Sequence, residues 1–249
     1  MVRTGDARIP LLLAGASAVI TCLIVGSLSP FDAFRIARLH GHLRDHAATL
    51  IYHFDSDRGR HDSSRTSQFE PGSNFDEVVI ENTASATITI GDRPSVAVNE
   101  PSHPSGRIST VVRGGKLVIS SLGPPAHLSL TVTHLRSLRV NGPGDINLVG
   151  LHDPLSIVTN GPSSLRATGA IDCLNLTLNG PSNLSLSKLQ AKNVAIRMNG
   201  GGNAEIFATD SLMAEVHGDG RVRYLGEPHT TTNIDGSGSI APLTVSRES

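Results

Sequence analysis

Residues 174–200 read LNLTLNGPSNLSLSKLQAKNVAIRMNG, and two features of this stretch decide the fold. Apolar and polar residues alternate before each Asn-Gly pair, which is the period of a β-strand and not of a helix. Each Asn-Gly pair is typical of a tight corner, because glycine accepts the positive φ that such a corner needs. The stretch therefore predicts short strands joined by glycine corners.

The same corner recurs six times along the chain, at intervals of 19, 19, 20, 18 and 18 residues. A unit of this length with two or three short strands cannot bury its own apolar face, so successive units must stack. A leucine-rich repeat has a similar period, but the helical half of such a repeat is missing here. We therefore predict an all-β fold, a single-stranded parallel β-helix with about nineteen residues per coil.

Apolar or small residues occupy equivalent positions in successive coils. Those at one, three and five residues before the corner include Leu174, Leu176, Leu178, Val194, Ile196, Met198, Leu212, Ala214 and Val216. Those at five and seven residues after its first residue are Ile146, Leu148, Leu165, Ala167, Leu184, Leu186, Ala204, Ile206, Val222 and Tyr224. We expect all of them to point inward. Residues 75–121 have less regular strand patterns and are expected to form the first coils and the N-terminal cap.

The corner residues are assigned a structural role. Because equivalent residues of stacked coils lie above one another, the corner asparagines are expected to form a ladder of amide hydrogen bonds along the axis, while the glycines make the turn. The alternative is that the row is a ligand-binding ridge. The assigned residues are Asn141, Gly142, Asn160, Gly161, Asn179, Gly180, Asn199, Gly200, His217, Gly218, Asp235 and Gly236.

Residues 9–28 contain no charged side chain, and their number, 20, is close to the ~20 that a helix needs to cross a membrane. Arg3 and Arg8 precede them as in an export signal. We predict a helical signal-anchor within residues 1–30, favoured over a cleaved signal peptide, that places the bulk of the chain in the periplasm or outside the cell. The orientation stays open, because three arginines also follow the segment.

Residues 31–74 are predicted to be an amphipathic juxtamembrane stretch followed by a polar linker, with a β-helix domain over residues 75–249. The stretch contains a group of histidines, His40, His42, His46, His53 and His61. No cysteine or carboxylate pattern completes a ligand set beside them, and a solvated polar face explains them equally well. We assign no metal site.

Residues 75–243 resemble the bacterial GIN domain family, described as an auto-transporter adhesin head and first defined as a domain of unknown function. The resemblance rests on residues 75–80 (FDEVVI), 115–119 (GKLVI) and 138–146 (LRVNGPGDI), and on the later corners at Gly200, Gly218 and Gly236. It implies a right-handed parallel β-helix in an exported or membrane-attached protein. Three prolines, Pro143, Pro162 and Pro181, depart from the small polar residue more usual at that corner position.

The composition of the chain argues against several classes of function and structure. A formal net charge of −1 gives no basic field for nucleic acid. Aromatic residues make up 3% of the chain with no Trp, which weighs against a groove that stacks sugars or bases. Two cysteines exclude a multi-disulfide scaffold.

Catalysis would need acids and bases that converge from neighbouring coils. The candidates are scattered or occupy ordinary turn positions: Asp145, Asp172, Asp210, Asp219, Asp235, His217 and Arg221. We therefore predict a non-enzymatic, membrane-tethered module for adhesin-like binding or display, without cofactor or nucleic acid, with an envelope polysaccharide or protein as candidate ligand. The alternatives are a β-helix enzyme acting on envelope polysaccharide and a scaffold that assembles with copies of itself.

Overall fold

A computed structural model describes residues 50–54, 64–68, 75–82, 84–99, 107–122 and 126–243. Within these ranges the chain forms seventeen strands and no helix. In chain order, β1 to β17 are Leu50–Phe54, Ser64–Gln68, Glu77–Glu81, Ala84–Ile90, Ser95–Asn99, Arg107–Arg113, Lys116–Leu122, Ala126–Val132, Ser137–Asn141, Gly144–Leu151, Leu155–Asn160, Ser163–Asn179, Ser182–Asn199, Gly202–His217, Arg221–Leu225, His229–Asp235 and Ser239–Pro242.

The strands form a β-solenoid of about six turns, which confirms the predicted fold class. Strands that lead into a corner stack in parallel as face A, in the order β7, β3, β9, β11, β12, β13, β14 and β16. Strands that leave a corner stack in parallel as face B, in the order β8, β4, β10, β12, β13, β14, β15 and β17. The long strands β12, β13 and β14 run from face B round a third side to face A.

The stack order departs from the sequence order at its N-terminal end. β3 lies between β7 and β9, and β4 lies between β8 and β10, so the layer of residues 77–90 is enclosed by two later ones. The layer of residues 116–132 is the outer one. Antiparallel strands cover it: β6 pairs with β7, and β5 pairs with β8. Residues 75–121 therefore do not supply the first coils in sequence order.

A two-residue turn joins β6 to β7. Gly114 and Gly115 have φ values of 57° and 76°, as a two-residue hairpin turn requires. The hairpin places β6 antiparallel on one edge of β7, while the other edge of β7 pairs in parallel with β3.

Most of the N-terminal segments predicted from the sequence lie outside the residues that the structure describes. The expected membrane segment of residues 9–28 is not among the described residues, and within those residues no helix is long and apolar enough to span a bilayer. Of residues 31–74, expected to be a juxtamembrane stretch and linker, the structure describes β1 and β2. They pair antiparallel with β6 and β5.

The core runs along the axis between the faces as one continuous cluster. The alternating positions that the sequence pattern assigns to the interior are buried in each coil, from Ile146 and Leu148 to Val222, while Tyr224 near the C-terminal end is only partly buried. Burial of such rows is the main favourable contribution to the stability of a solenoid, because each coil covers the apolar face of its neighbour.

The C-terminal layer differs from the layers beneath it. All seven residues of β16 are exposed, and Ile234 at 43% exposure is the one large apolar side chain left exposed in the described ranges. In the row of inward positions, Leu174, Val194 and Leu212 give way to Thr230 in this layer. The threonine suits a row that nothing covers within the described residues.

Candidate binding surface

Two outward rows of face B consist of polar residues, except for Ala241 at the C-terminal end of the second row. The strand register places His127, Ser85, Asp145, Ser164, Asn183, Asn203, Arg221 and Ser239 in the first row. The second row, two residues further along each strand, contains Ser129, Thr87, Asn147, Arg166, Ser185, Glu205, Arg223 and Ala241. None of these residues is buried. Alternation along each strand separates them from the apolar core beneath.

The two rows border two grooves that are open to solvent. The larger has a volume of about 600 Å³ and is lined by His127, Asp145, Asn147 and Arg166 with their neighbours. The smaller, of about 250 Å³, lies on the next coils and includes Asn183. Arg166 lines both, so the two grooves lie next to each other along the axis. The volume of the larger groove falls within the range of ordinary ligand sites.

The polar groups of the larger groove are available for a ligand. Among the described residues, the side chains of His127, Asp145 and Arg166 make no hydrogen bond or ion pair with another residue. Arg166 offers a planar set of donors and Asp145 offers two acceptor oxygens. The groove can therefore bind a polar ligand that presents both donors and acceptors.

Several charged groups elsewhere on the solenoid are paired. On face A, Lys116 contacts Glu77 across 2.9 Å, and Arg197 contacts Glu215 across 2.7 Å. Further along face B, Arg223 is hydrogen-bonded to Glu205. Such pairs satisfy each other and leave less for a partner to bind. Within the described residues Arg139 on face A and Arg221 on face B also make no ion pair, but neither lines the larger groove.

The corner row is held by two sets of hydrogen bonds. Nδ2 of Asn160, Asn179 and Asn199 each donates to Oδ1 of the asparagine one coil earlier, over 2.8 Å. In the opposite direction, the backbone N–H of Gly161 donates to the carbonyl of Asn179 over 2.8 Å, and the other corners repeat this bond. The row thereby fixes the spacing and register of the coils.

The row continues beyond the six corners that the sequence shows. Glu81 stands one coil before Asn141, and its carboxylate accepts from Ser120 over 2.9 Å. Asn82 takes the place of the corner glycine with φ of 68°, a conformation that asparagine tolerates better than most residues. This corner was not predicted from the sequence because it lacks the Asn-Gly pair. The available signal was Asn82, which follows the apolar residues 78–80 and belongs to a residue type that tolerates the αL conformation.

At the C-terminal end of the corner row, His217 and Asp235 take the positions that asparagines occupy in the earlier coils. His217 Nδ1 lies 3.6 Å from Asp235 Oδ2, and the Asp235 side chain is 85% exposed. Asp219 accepts a hydrogen bond from Ser237. Arg221, grouped with these residues in the sequence analysis, begins β15 on face B. This layer brings together one histidine and one aspartate, both accessible to water.

The remaining acids considered for catalysis lie apart. Asp145 lines the face B groove, whereas Asp172 and Asp210 lie on the third side. Asp172 binds Lys192 across 2.8 Å, and this hydrogen bond raises the pKa of Lys192 above its ordinary value. Asp210 accepts a hydrogen bond from Thr209. The structure does not bring these three acids into one cluster.

The five N-terminal histidines lie outside the described side chains, and of these only His53 falls within a described strand. A different cluster, His134, His152 and Asp153, forms on the third side. The available signal in the sequence was the 19-residue separation of His134 and Asp153, which equals one coil of the repeat.

The parallel stack of coils defines the structural class of the protein, a β-solenoid. The chain belongs to the family described as "Putative auto-transporter adhesin, head GIN domain", which matches residues 74–228, more than half of its length.

Three solved structures resemble the chain to different degrees. A putative adhesin from Bacteroides fragilis superposes with a TM-score of 0.55 at 18% identity, covering 72% of this chain and 97% of that one. A putative lipid binding protein from Parabacteroides distasonis has a TM-score of 0.40 at 18% identity, covering 74% and 98%. A putative adhesin from Parabacteroides merdae has a TM-score of 0.37 at 14% identity, covering 73% and 96%. Among curated proteins, none matches the sequence.

Proposed function

We propose that this protein is a non-catalytic binding module, tethered to the membrane by residues 9–28, that holds a polar ligand of the cell envelope in the grooves of face B. The observation that carries the proposal is the set of unpaired side chains in the larger groove, His127, Asp145 and Arg166. A polysaccharide fits this chemistry, because its hydroxyl groups both donate and accept hydrogen bonds. Its length also suits two grooves that lie next to each other along the axis.

Neither row of face B contains an aromatic side chain, and this limits the affinity that we expect for a polysaccharide at a single site. Both rows consist of Ser, Thr, Asn, charged residues, His and one Ala. Without stacking, each contact contributes through hydrogen bonds that replace bonds to water, about 0.5–1.5 kcal/mol apiece. Tight binding then needs many contacts in register or many molecules on one surface, as is usual in adhesion.

The test measures retention of the full-length protein, in detergent, on immobilised peptidoglycan, capsular polysaccharide and lipopolysaccharide. We expect one of these to retain the wild type, and Arg166→Ala and Asp145→Ala to weaken that retention at least tenfold. Arg139→Ala is the matched control, because Arg139 faces outward on face A. Equal retention of Arg166→Ala and Arg139→Ala would place the ligand elsewhere.

The same samples separate binding from catalysis. A binding module leaves the length of the retained polysaccharide unchanged, whereas a hydrolase or lyase shortens it. Appearance of shorter chains with the wild type, and their loss in Asp219→Asn and His217→Ala, would support the enzyme alternative.

The membrane tether has its own test. If residues 9–28 are an uncleaved anchor, the protein stays with the membrane fraction and mass spectrometry finds these residues in it. A mature N-terminus after residue 28 would show a cleaved export signal instead.

Self-assembly is a second candidate, favoured by the exposed C-terminal layer. β16 pairs with β14 along one edge, and Ile234 on it is 43% exposed. A free strand edge with an apolar residue can pair with a second copy. Light scattering on the wild type and on Ile234→Lys tests this: a scaffold dissociates in the variant, and a monomeric module has the same mass in both.

A further inference from the structure

We propose that His134, His152 and Asp153 form a binding site for a divalent first-row transition-metal ion, with Zn²⁺ as the reference ion. The residues lie on the third side of the solenoid, where residues 133–136 pass beside the turn at residues 150–154 of the next coil. One ligand atom from each residue lies within 4.8 Å of the other two. Imidazole nitrogen and carboxylate oxygen are established zinc ligands. The site is separate from the groove of the proposed function.

The orientation of His152 is the first observation. Its Nδ1 lies 3.3 Å from the backbone carbonyl of Gly150. A carbonyl oxygen only accepts, so Nδ1 carries the proton and donates. In the neutral ring the lone pair is then on Nε2. This is the arrangement in which protein carbonyls orient metal-binding histidines.

The lone pair of His152 points toward another acceptor. Nε2 lies 3.7 Å from Oδ2 of Asp153, an anionic oxygen. Two acceptors that face each other repel unless a cation or a proton lies between them. A metal ion satisfies both, and a proton on Nε2 is the competing solution that the experiment must separate.

His134 completes the ligand set from the neighbouring coil. Its Nδ1 lies 2.8 Å from the same Asp153 oxygen, and its ring meets that of His152 nearly edge-on, with centroids 6.1 Å apart. Without metal, Nδ1–H donates to the carboxylate. With metal, the proton of a neutral ring moves from Nδ1 to Nε2 through water, whereas a ring protonated on both nitrogens releases its Nδ1 proton to solvent; in either case the Nδ1 lone pair binds the ion.

The distances fit a site that closes by small side-chain movements. Tetrahedral bonds of about 2.0–2.1 Å place ligand atoms about 3.3 Å apart. The two distances to Asp153 Oδ2, 2.8 Å and 3.7 Å, lie on either side of this value. The histidine side chains are 61% and 54% exposed and can rotate, whereas the Asp153 side chain is 23% exposed and anchors the site.

The types of ligand atom in the cluster indicate which ions it would bind. Two imidazoles and one carboxylate favour zinc, copper or nickel over calcium and magnesium, which require oxygen ligands. Three protein ligands leave a coordination position open for water or for a group from another molecule. The next charged pair along this side, Lys192 with Asp172, is already joined at 2.8 Å.

From the sequence alone we expected no metal site in this chain, and the proposed site is therefore a departure from that expectation. His134 and Asp153 are 19 residues apart, which is one coil of the repeat, so the stacking of successive coils brings them together.

The experiment titrates Zn²⁺ into the full-length protein against a chromophoric chelator. The histidines of the N-terminal stretch are first replaced by glutamine, so that they do not compete: His40, His42, His46, His53 and His61. In this background we expect one Zn²⁺ per chain, with affinity at least about tenfold lower in His152→Ala and in Asp153→Asn. His229→Ala is the control, since His229 is exposed in the last layer and away from the cluster.

Nitrogen chemical shifts of the histidine rings separate the metal from the proton. We expect Zn²⁺ to shift Nε2 of His152 and to move the proton of His134 from Nδ1 to Nε2. Unchanged Zn²⁺ affinity in His152→Ala would overturn the proposal. So would a His152 ring protonated on both nitrogens whose signals do not respond to Zn²⁺, which would identify a surface ion pair.

Discussion

Asn179 Nδ2 donates a hydrogen bond to Oδ1 of Asn160 over 2.8 Å, and the two residues are 19 positions apart in sequence. Each middle asparagine of the row therefore donates to one neighbour and accepts from the other. The amides are partly buried, where an unpaired amide group is costly.

Replacement of Asn160 by alanine tests the contribution of this row. Asn160→Ala removes a donor to Asn141 and an acceptor for Asn179. We expect the free energy of unfolding to fall by about 1–3 kcal/mol, measured by urea denaturation. The matched control is Asn203→Ala, whose bond to Asn183 is exposed and 3.3 Å long, and which should cost less than about 0.5 kcal/mol. Equal losses of unfolding free energy in the two variants would mean that the asparagine row stabilises the fold no more than an exposed surface hydrogen bond does.

Two adjacent glycines at one corner give a second test. Gly200 has φ of 123°, which side-chain-bearing residues rarely adopt, so Gly200→Ala should lower the free energy of unfolding by about 1–3 kcal/mol. Gly201 lies outside that region, and a Cβ added there meets no atom within 4 Å. Gly201→Ala should leave the thermal midpoint within a few degrees of the wild type. A larger loss in Gly201→Ala than in Gly200→Ala would contradict the corner geometry.

Alternation along one strand gives a third test. Leu176 is 2% exposed, and Leu176→Asp places a charge among stacked apolar rows. We expect loss of more than about 4 kcal/mol, or failure to fold. Thr177 points outward and is partly exposed, so Thr177→Asp should melt close to the wild type in circular dichroism. Similar melting of both variants would mean that the strand faces are wrongly assigned.

Paired cysteines test the order of the first layers. Thr87 and Ser129 are register partners on face B, so the double variant Thr87→Cys with Ser129→Cys should cross-link on oxidation. Ser129→Cys with Asn147→Cys should not, because Thr87 lies between these positions and separates their Cα atoms by about 9.6 Å. Cross-linking of both pairs would show layers stacked in sequence order, because Ser129 would then lie between Thr87 and Asn147. Peptide mapping identifies the link.

The regular coils could be predicted because their information is local. Alternation within each strand assigns Leu174, Leu176 and Leu178 to the interior, and all three are buried. The glycine after each corner asparagine is required by one backbone angle, and Gly161 at φ of 118° shows it. Repetition then supplies the stacking direction, since equal units bury each other best in register.

The first layers could not be predicted, because their order depends on pairing between distant segments. Nothing in residues 78–80 tells that both neighbours of β3 come from later in the chain. The contact between His134 and Asp153, 2.8 Å in length, follows instead from the regular repeat, because each residue stands seven positions before a corner asparagine. The polar rows of face B were visible as outward positions, but the grooves between them require the actual curvature of the sheet.

The enclosed first layer also decides how the molecule bears mechanical load. β3 is bonded to a parallel strand on each side, so tension that reaches it must break two ladders together. A pull from the N-terminal side first separates β1 from β6 and β2 from β5, and then meets this doubly bonded strand. In the last layer, among the described residues, β16 is paired with β14 and β17 with β15 along one edge each, so tension at the C-terminal side meets no strand that is bonded on both edges until it reaches the layer beneath.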